Sequence, residues 1–351
     1  MAQNEGNLRA CSEEHGRARW INASGRFVPS YCCPHSYMSR SEMVIGTRGS
    51  TLALWQTRRM QRRLQRHGHE STLQRISTRG DRIQDVPISE IGDESVFTKE
   101  LDRALLDGRI DCAVHSLKDL PSRLPEGIVL AAVGRRASPF DAFVGHPDTT
   151  EGLHDLPKGA TVATASLRRR AQLLAWRDDL NIVSVRGNVD SRLETLAESD
   201  WHGMVLAVAG LKRLDREDVI RTVIPPEVMI PAVGQGALAI TCRTEDSALR
   251  TLLRGAVHHL DTDAAITAER GFMKRIEGGC QVPTGAWARL NSEGTLVIDG
   301  CVAALDGSAS FRAQKTASVE QAAMAGAELA EELLDAGGAE VLARIRNAAS
   351  A

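Results

Sequence analysis

Aromatic residues are scarce in this chain, with 6 Phe, 5 Trp and 2 Tyr making up 4% of the sequence. Single-stranded nucleic acid is held by stacking bases on aromatic rings, so a nucleic-acid partner is poorly supported. Nor is there an excess of positive charge to hold a phosphate backbone: 43 Lys and Arg face 45 Asp and Glu, a formal net charge of −2. No stretch approaches the roughly 18 uninterrupted apolar residues of a membrane span, so no membrane partner is expected. The cysteines Cys11, Cys32, Cys33, Cys112, Cys242, Cys280 and Cys301 are odd in number and scattered. They fit neither a disulfide framework nor a zinc site, so no metal and a reducing, cytoplasmic location are expected. A phosphate-binding glycine loop of the Walker type is missing too.

What remains is a globular composition, 42% hydrophobic and 25% charged over 351 residues, enough for two or three domains. Residues 1–42 show no apolar periodicity and no apolar signal-peptide core. Their Glu5, Glu13 and Glu14 argue against an organelle transit segment, so a disordered leader is expected there. From Met43 short apolar runs alternate with helical patterns. Strands are expected at 43–47, 71–77, 111–117 and 127–133, with helices at 51–67 and 97–107. A second set follows Pro139: strands at 141–145, 160–164, 181–185 and 203–208, with helices at 167–177 and 189–199. "GMVLAVAG" is apolar on consecutive positions, as suits a parallel strand covered on both faces. Such alternation predicts parallel sheets with right-handed crossovers. After residue 259 a helix over 262–276 precedes three strands and closing helices, a small α+β domain. The fold class is therefore α/β, two lobes with a third, smaller C-terminal domain.

Ligands of open α/β sheets sit at the carboxyl ends of strands. Four basic clusters fall at such points. "IGTRGS" places Arg48 and Ser50 between the first strand and first helix. "TASLRRRAQL" sets Ser166 before a helix with Arg168, Arg169 and Arg170 in its first turn, against the helix dipole. "VRGNVDSRL" adds Arg186, Asn188 and Arg192, and "AVAGLKRL" adds Lys212 and Arg213. Any one of these could be a solvated surface group. Together, in a chain of net charge −2, they suggest a cleft for a polyanion, and arginine favours planar carboxylates. "AVHSLKDLP" supplies His115, read as a hydrogen-bonded buried histidine, with Lys118 and Asp119. An acid among arginines stays ionised and can stabilise a cation. "EGGCQVPTG" puts Cys280 in a glycine-bearing turn, accessible enough for a covalent attachment point; a buried loop cysteine is the plain alternative.

These stretches, with "GTRGSTLALWQ", "TRGD" and "PAVGQGAL", occur in an order that resembles the hydroxymethylbilane synthase (porphobilinogen deaminase) family over residues 43–351. The resemblance implies two lobes like those of periplasmic binding proteins with a cleft between them, crossed near 135–140 and 231–236. Domain 1 would take 43–135 with 237–254, domain 2 140–230, and domain 3 259–351. It implies a transferase of tetrapyrrole (porphyrin and haem) biosynthesis that joins four porphobilinogen units with loss of ammonia. One dipyrromethane cofactor per chain would be held by a thioether to Cys280. Arg48, Ser50, Ser166, Arg168, Arg169, Arg186, Asn188 and Arg192 would hold the cofactor. Arg48, Arg186, Arg192, Arg213 and Phe97 would meet the substrate, and Asp119 beside Lys118 would be catalytic. A monomer that passes its product to the next enzyme is implied as well. The lid loop departs from the family: "EIGDESVF" carries Glu90, Asp93 and Glu94 where lysines are frequent, though Phe97 is kept. The rival reading is a non-catalytic two-lobed anion-binding protein, which accounts for lobes and arginines but not for Cys280 or the third domain.

Overall fold

The computed structural model describes residues 9–14, 17–21, 27–28, 42–78, 80, 97–276 and 282–350. They fall into two compact units, Met1–Ser41 and Glu42–Ala351. The first, expected to be a disordered leader, carries β1 (Arg9–Glu14), β2 (Arg17–Ile21) and β3 (Phe27–Val28), paired antiparallel in that order. Hairpin pairing draws on backbone hydrogen bonds, which composition does not reveal.

The second unit opens with β4 (Met43–Thr47), α1 (Thr51–Arg66), β5 (Ser71–Arg75), α2 (Lys99–Leu106), β6 (Cys112–Ser116) and β7 (Ile128–Val133). The chain then crosses to β8 (Asp141–Gly145), β9 (Thr161–Ala163), α3 (Leu167–Trp176), β10 (Asn181–Val183), α4 (Val189–Ala197), β11 (Gly203–Ala207), α5 (Val208–Arg213) and β12 (Ile220–Val223). It returns as β13 (Leu238–Arg243) and α6 (Ser247–Val257). Helix α7 (Leu260–Ile276) leads to β14 (Thr284–Leu290), β15 (Leu296–Ala303), β16 (Ser310–Ala317), α8 (Ala322–Leu333) and α9 (Ala339–Ser350).

Three sheets result, ordered β5-β4-β6-β13-β7, β10-β9-β11-β8-β12 and β14-β15-β16. The two large sheets are mixed rather than parallel: β13 runs antiparallel to β6 and β7, and β8 antiparallel to β11 and β12. Each reversed strand is the first after a crossing between lobes. The parallel strands of both lobes end at the cleft, so a strand that enters from the cleft must run the other way. Both faces of the second sheet are covered. Along β8, Phe143 points into one apolar cluster with Val162 and Leu173, while Ala142 and Val144 point into another with Leu206 and Leu211.

The third sheet is an antiparallel meander covered by α7 and α8, with Phe272, Ile298, Leu329 and Leu333 in its core. Those helices pack backbone to backbone: a Cβ on Gly271 would meet the Ala323 carbonyl, and one on Gly326 the Ala268 carbonyl. Among the described residues no helix is long and apolar enough to cross a membrane.

Candidate active site

Three helices begin at one cavity. Ser50 caps α1 by accepting from the Ala53 N–H at 3.3 Å, Ser166 caps α3 through Arg169 N–H at 3.5 Å, and Asn188 caps α4 through Ser191 N–H at 2.9 Å. Each cap follows a strand, so three helix N-termini present partial positive charge to the same space. Gly187, at φ +107°, makes the turn into α4, and a side chain there would strike the Ser191 hydroxyl. The cavity holds about 760 Å³. Arg48, Arg75, Lys118, Arg168, Arg169, Arg186 and Arg192 line it, and Asp119 is the only acid among its described lining residues. Phe97 also lines it, with the Arg48 guanidinium 4.2 Å above its ring.

The arginines divide into two sorts. Arg168 and Arg169, nearly fully buried, grip Asp141 at 2.9 and 2.7 Å and also donate to the Ile230 and Val205 carbonyls. Burial alone would raise the Asp141 pKa, but the two arginines and Lys118 pull it down to about 2. Two cations thus share one anion, and the wall keeps net positive charge. Arg192 is different. Its Nε is buried without a hydrogen-bond partner, and burial, with Arg169 and Arg186 nearby, lowers its pKa to about 10. An orphaned buried donor costs about 1–3 kcal/mol, which a bound carboxylate would relieve. The site therefore fits a polycarboxylate ligand.

Asp119 closes the single turn Leu117–Asp119 that follows β6. Lys118 beside it reaches Gln235 Oε1 at 3.2 Å, and Gln235 in turn donates to Asp141 and to the Pro139 carbonyl. Burial, then the nearby Arg169, lowers the Lys118 pKa to about 8. His115 is a buried core histidine, 2.9 Å from the Thr241 hydroxyl, with its pKa pushed down to about 4 by burial and then Arg48.

Not every expected residue reaches the cavity. Arg213 does not line it; its Nη2 donates to the Gly236 carbonyl at 2.7 Å and its guanidinium stands 5.9 Å from the Trp55 ring. Cys280 and the lid residues Glu90, Asp93 and Glu94 lie outside the described residues. Among the polar residues that the motifs did not single out for a role, Arg75 and Gln235 line the cavity, and Asp141 backs it through Arg168 and Arg169. Asp141 had a signal, an acid heading the apolar strand "DAFVG".

Fold and cavity together define a two-lobed α/β protein with a cationic cleft that surrounds one carboxylate. The family model described as "Porphobilinogen deaminase, dipyromethane cofactor binding domain" matches residues 43–251, and "Porphobilinogen deaminase, C-terminal domain" matches 264–335. The porphobilinogen deaminase of Syntrophomonas wolfei is 45% identical over 304 residues, covering 86% of this chain and 98% of that protein. That of Roseiflexus castenholzii is 48% identical over 306 residues, covering 87% and 99%. A periplasmic substrate-binding protein of an ABC transporter from Coxiella burnetii aligns at 15% identity and a TM-score of 0.39, covering 61% of this chain and 91% of that one. The chain belongs to the porphobilinogen deaminase family. Membership disfavours the non-catalytic anion-binding alternative.

Proposed function

We propose that this protein is a hydroxymethylbilane synthase whose cleft binds the carboxylates of the growing chain and whose Asp119 serves each condensation. One observation carries the reading: a single carboxylate, Asp119, sits in a large cavity whose other charged residues, among those described, are all cations. Porphobilinogen bears an acetate and a propionate, so four joined units form a polycarboxylate that suits Arg48, Arg186 and Arg192. Loss of ammonia from the substrate's aminomethyl group leaves a cation, and a fixed carboxylate stabilises it where water is excluded. Bound dipyrromethane supplies the nucleophilic pyrrole carbon that primes the chain. Ser50, Ser166 and Asn188 shape the anion site by holding three helix starts in place. Arg168 and Arg169 lend it net positive charge from the wall, and Phe97 shields one side of Arg48.

Cys280 is the proposed attachment point. The other cysteines of the described second unit, Cys112, Cys242 and Cys301, are buried. Burial pushes each thiol's pKa up, that of Cys242 to about 11, so they are poor nucleophiles near neutral pH. Intact mass should exceed the sequence mass by one dipyrromethane in the wild type and match it in Cys280→Ser. Active wild-type protein with no added mass would overturn the assignment.

Lys118 sets a pH expectation. With its pKa near 8, it loses its charge as pH rises through that value. Affinity for the anionic substrate should then weaken, so KM rises above about pH 8. Lys118→Met should remove that step; a KM profile unchanged by the substitution would count against a charged role. The domain limits 43–135 with 237–254, 140–230 and 259–351, a monomeric state, a cytoplasmic location and delivery of product to the next enzyme complete the proposal. The buried free thiols fit a reducing compartment.

A further inference from the structure

One face of helix α7 runs from the segment that carries Asp119 to the cavity lining. Ile266 packs in one apolar cluster with Leu117 and Leu120, the two leucines that bracket Lys118 and Asp119. One turn on, Arg270 Nη2 donates to the carbonyls of Pro121 at 3.1 Å and Ser122 at 3.0 Å. Met273, the next residue of that face, lines the cavity, and the helix ends at Ile276, four residues before Cys280. Positions 266, 270 and 273 share one helix face because they recur at i, i+4 and i+7.

We propose that Arg270 is a positioning residue, which ties the turn bearing Asp119 to the helix that ends four residues before Cys280. The inference rests on the roles given above to Asp119 and Cys280. Arg270 is mostly buried, burial lowers its pKa, and its Nη1 has no hydrogen-bond partner. A buried, partly satisfied cation is costly, and an apolar side chain of similar volume would hold two elements together as well or better. What the guanidinium adds is direction: two charge-assisted hydrogen bonds to successive carbonyls fix the turn's orientation as well as its distance. Orientation matters at this point, since a misplacement of about 1 Å in a catalytic group can cost on the order of 10² in rate.

Arg270→Met keeps the volume and removes the donors; Arg270→Lys returns a cationic donor. Arg63→Met is the control, because Arg63 Nε donates to the Ala256 carbonyl at 2.9 Å in a similar clamp between α1 and α6, outside the cavity lining. Purified proteins are compared by kcat, KM, intact mass and hydrogen exchange of residues 117–122. The expected result is an Arg270→Met protein with the full cofactor mass, KM within about twofold and kcat down by about 10–100-fold. Exchange at 117–122 should be faster, Arg270→Lys should recover part of kcat, and Arg63→Met should leave kcat unchanged. Unchanged kcat in Arg270→Met, or an equal fall in Arg63→Met, overturns the proposal. So does unchanged exchange at 117–122. Should Arg270→Met not fold, Arg270→Gln is read by the same outcomes. A wild type without added mass, or full turnover in Asp119→Asn, would instead sink the underlying roles, while exchange at 117–122 still reports whether the clamp exists.

Discussion

Asp119→Asn should fold, carry the cofactor mass and turn over about 10²–10³ times more slowly than wild type. Asparagine keeps the size and the hydrogen-bonding oxygen of the side chain but not its charge. Asp119 stands at the end of a short turn and is only half-buried where it lines the cavity, so its replacement leaves the core packing in place. The loss should lie in kcat, because the cation forms only after substrate is bound and ammonia departs. Single-turnover rates and steady-state kinetics on the same preparation give the test. Near-normal turnover in Asp119→Asn would exclude the catalytic role.

Glu269→Ala should destabilise the protein by about 3–5 kcal/mol, the usual consequence of leaving one member of a buried ion pair alone. Glu269 is fully buried on α7 and receives Arg136 at 2.5 and 3.2 Å, the Gly234 N–H at 2.7 Å and the Ala288 N–H at 2.8 Å. Arg136 lies on the outward crossing and Gly234 on the return, so a single carboxylate joins both crossings to β14 of the third domain. Removal leaves a guanidinium and two backbone donors without their acceptor. Glu269→Gln keeps one acceptor oxygen and should fall between Ala and wild type. Urea unfolding measures the loss, and a cost below about 1 kcal/mol for Glu269→Ala would show that the knot carries little.

Much of the first two lobes was legible in the residues. The strands at Met43–Thr47 and Asp141–Gly145 fall where short β-rich runs stop, and the helix at Thr51–Arg66 ends beside Gly68. Ser50, Ser166 and Asn188 could be placed before helices because caps follow local rules. Strand direction was not legible: β13 and β8 follow crossings, and an apolar run reads the same whichever way it points. The strand β12 and the helix α5 are too short to carry a clear period, whereas α6 has a marked apolar stripe of Leu249, Leu253, Ala256 and Val257 and was legible in principle.

Motif order and residue type alone therefore determined the family likeness, the basic residues at strand ends and the acid among them. Local chemistry decides those features, since caps, turns and short β-runs depend on neighbours in the chain. Tertiary structure decided which arginines remain available to a ligand. Arg168, Arg169 and Arg192 look alike in the sequence, yet the first two are bound to Asp141, which enters from another strand, and Arg192 keeps a buried donor without a partner. Arg213 is likewise taken by the Gly236 carbonyl across the return crossing. A guanidinium's role depends on which acceptors the fold brings within about 3 Å of it, and those acceptors come from distant parts of the chain.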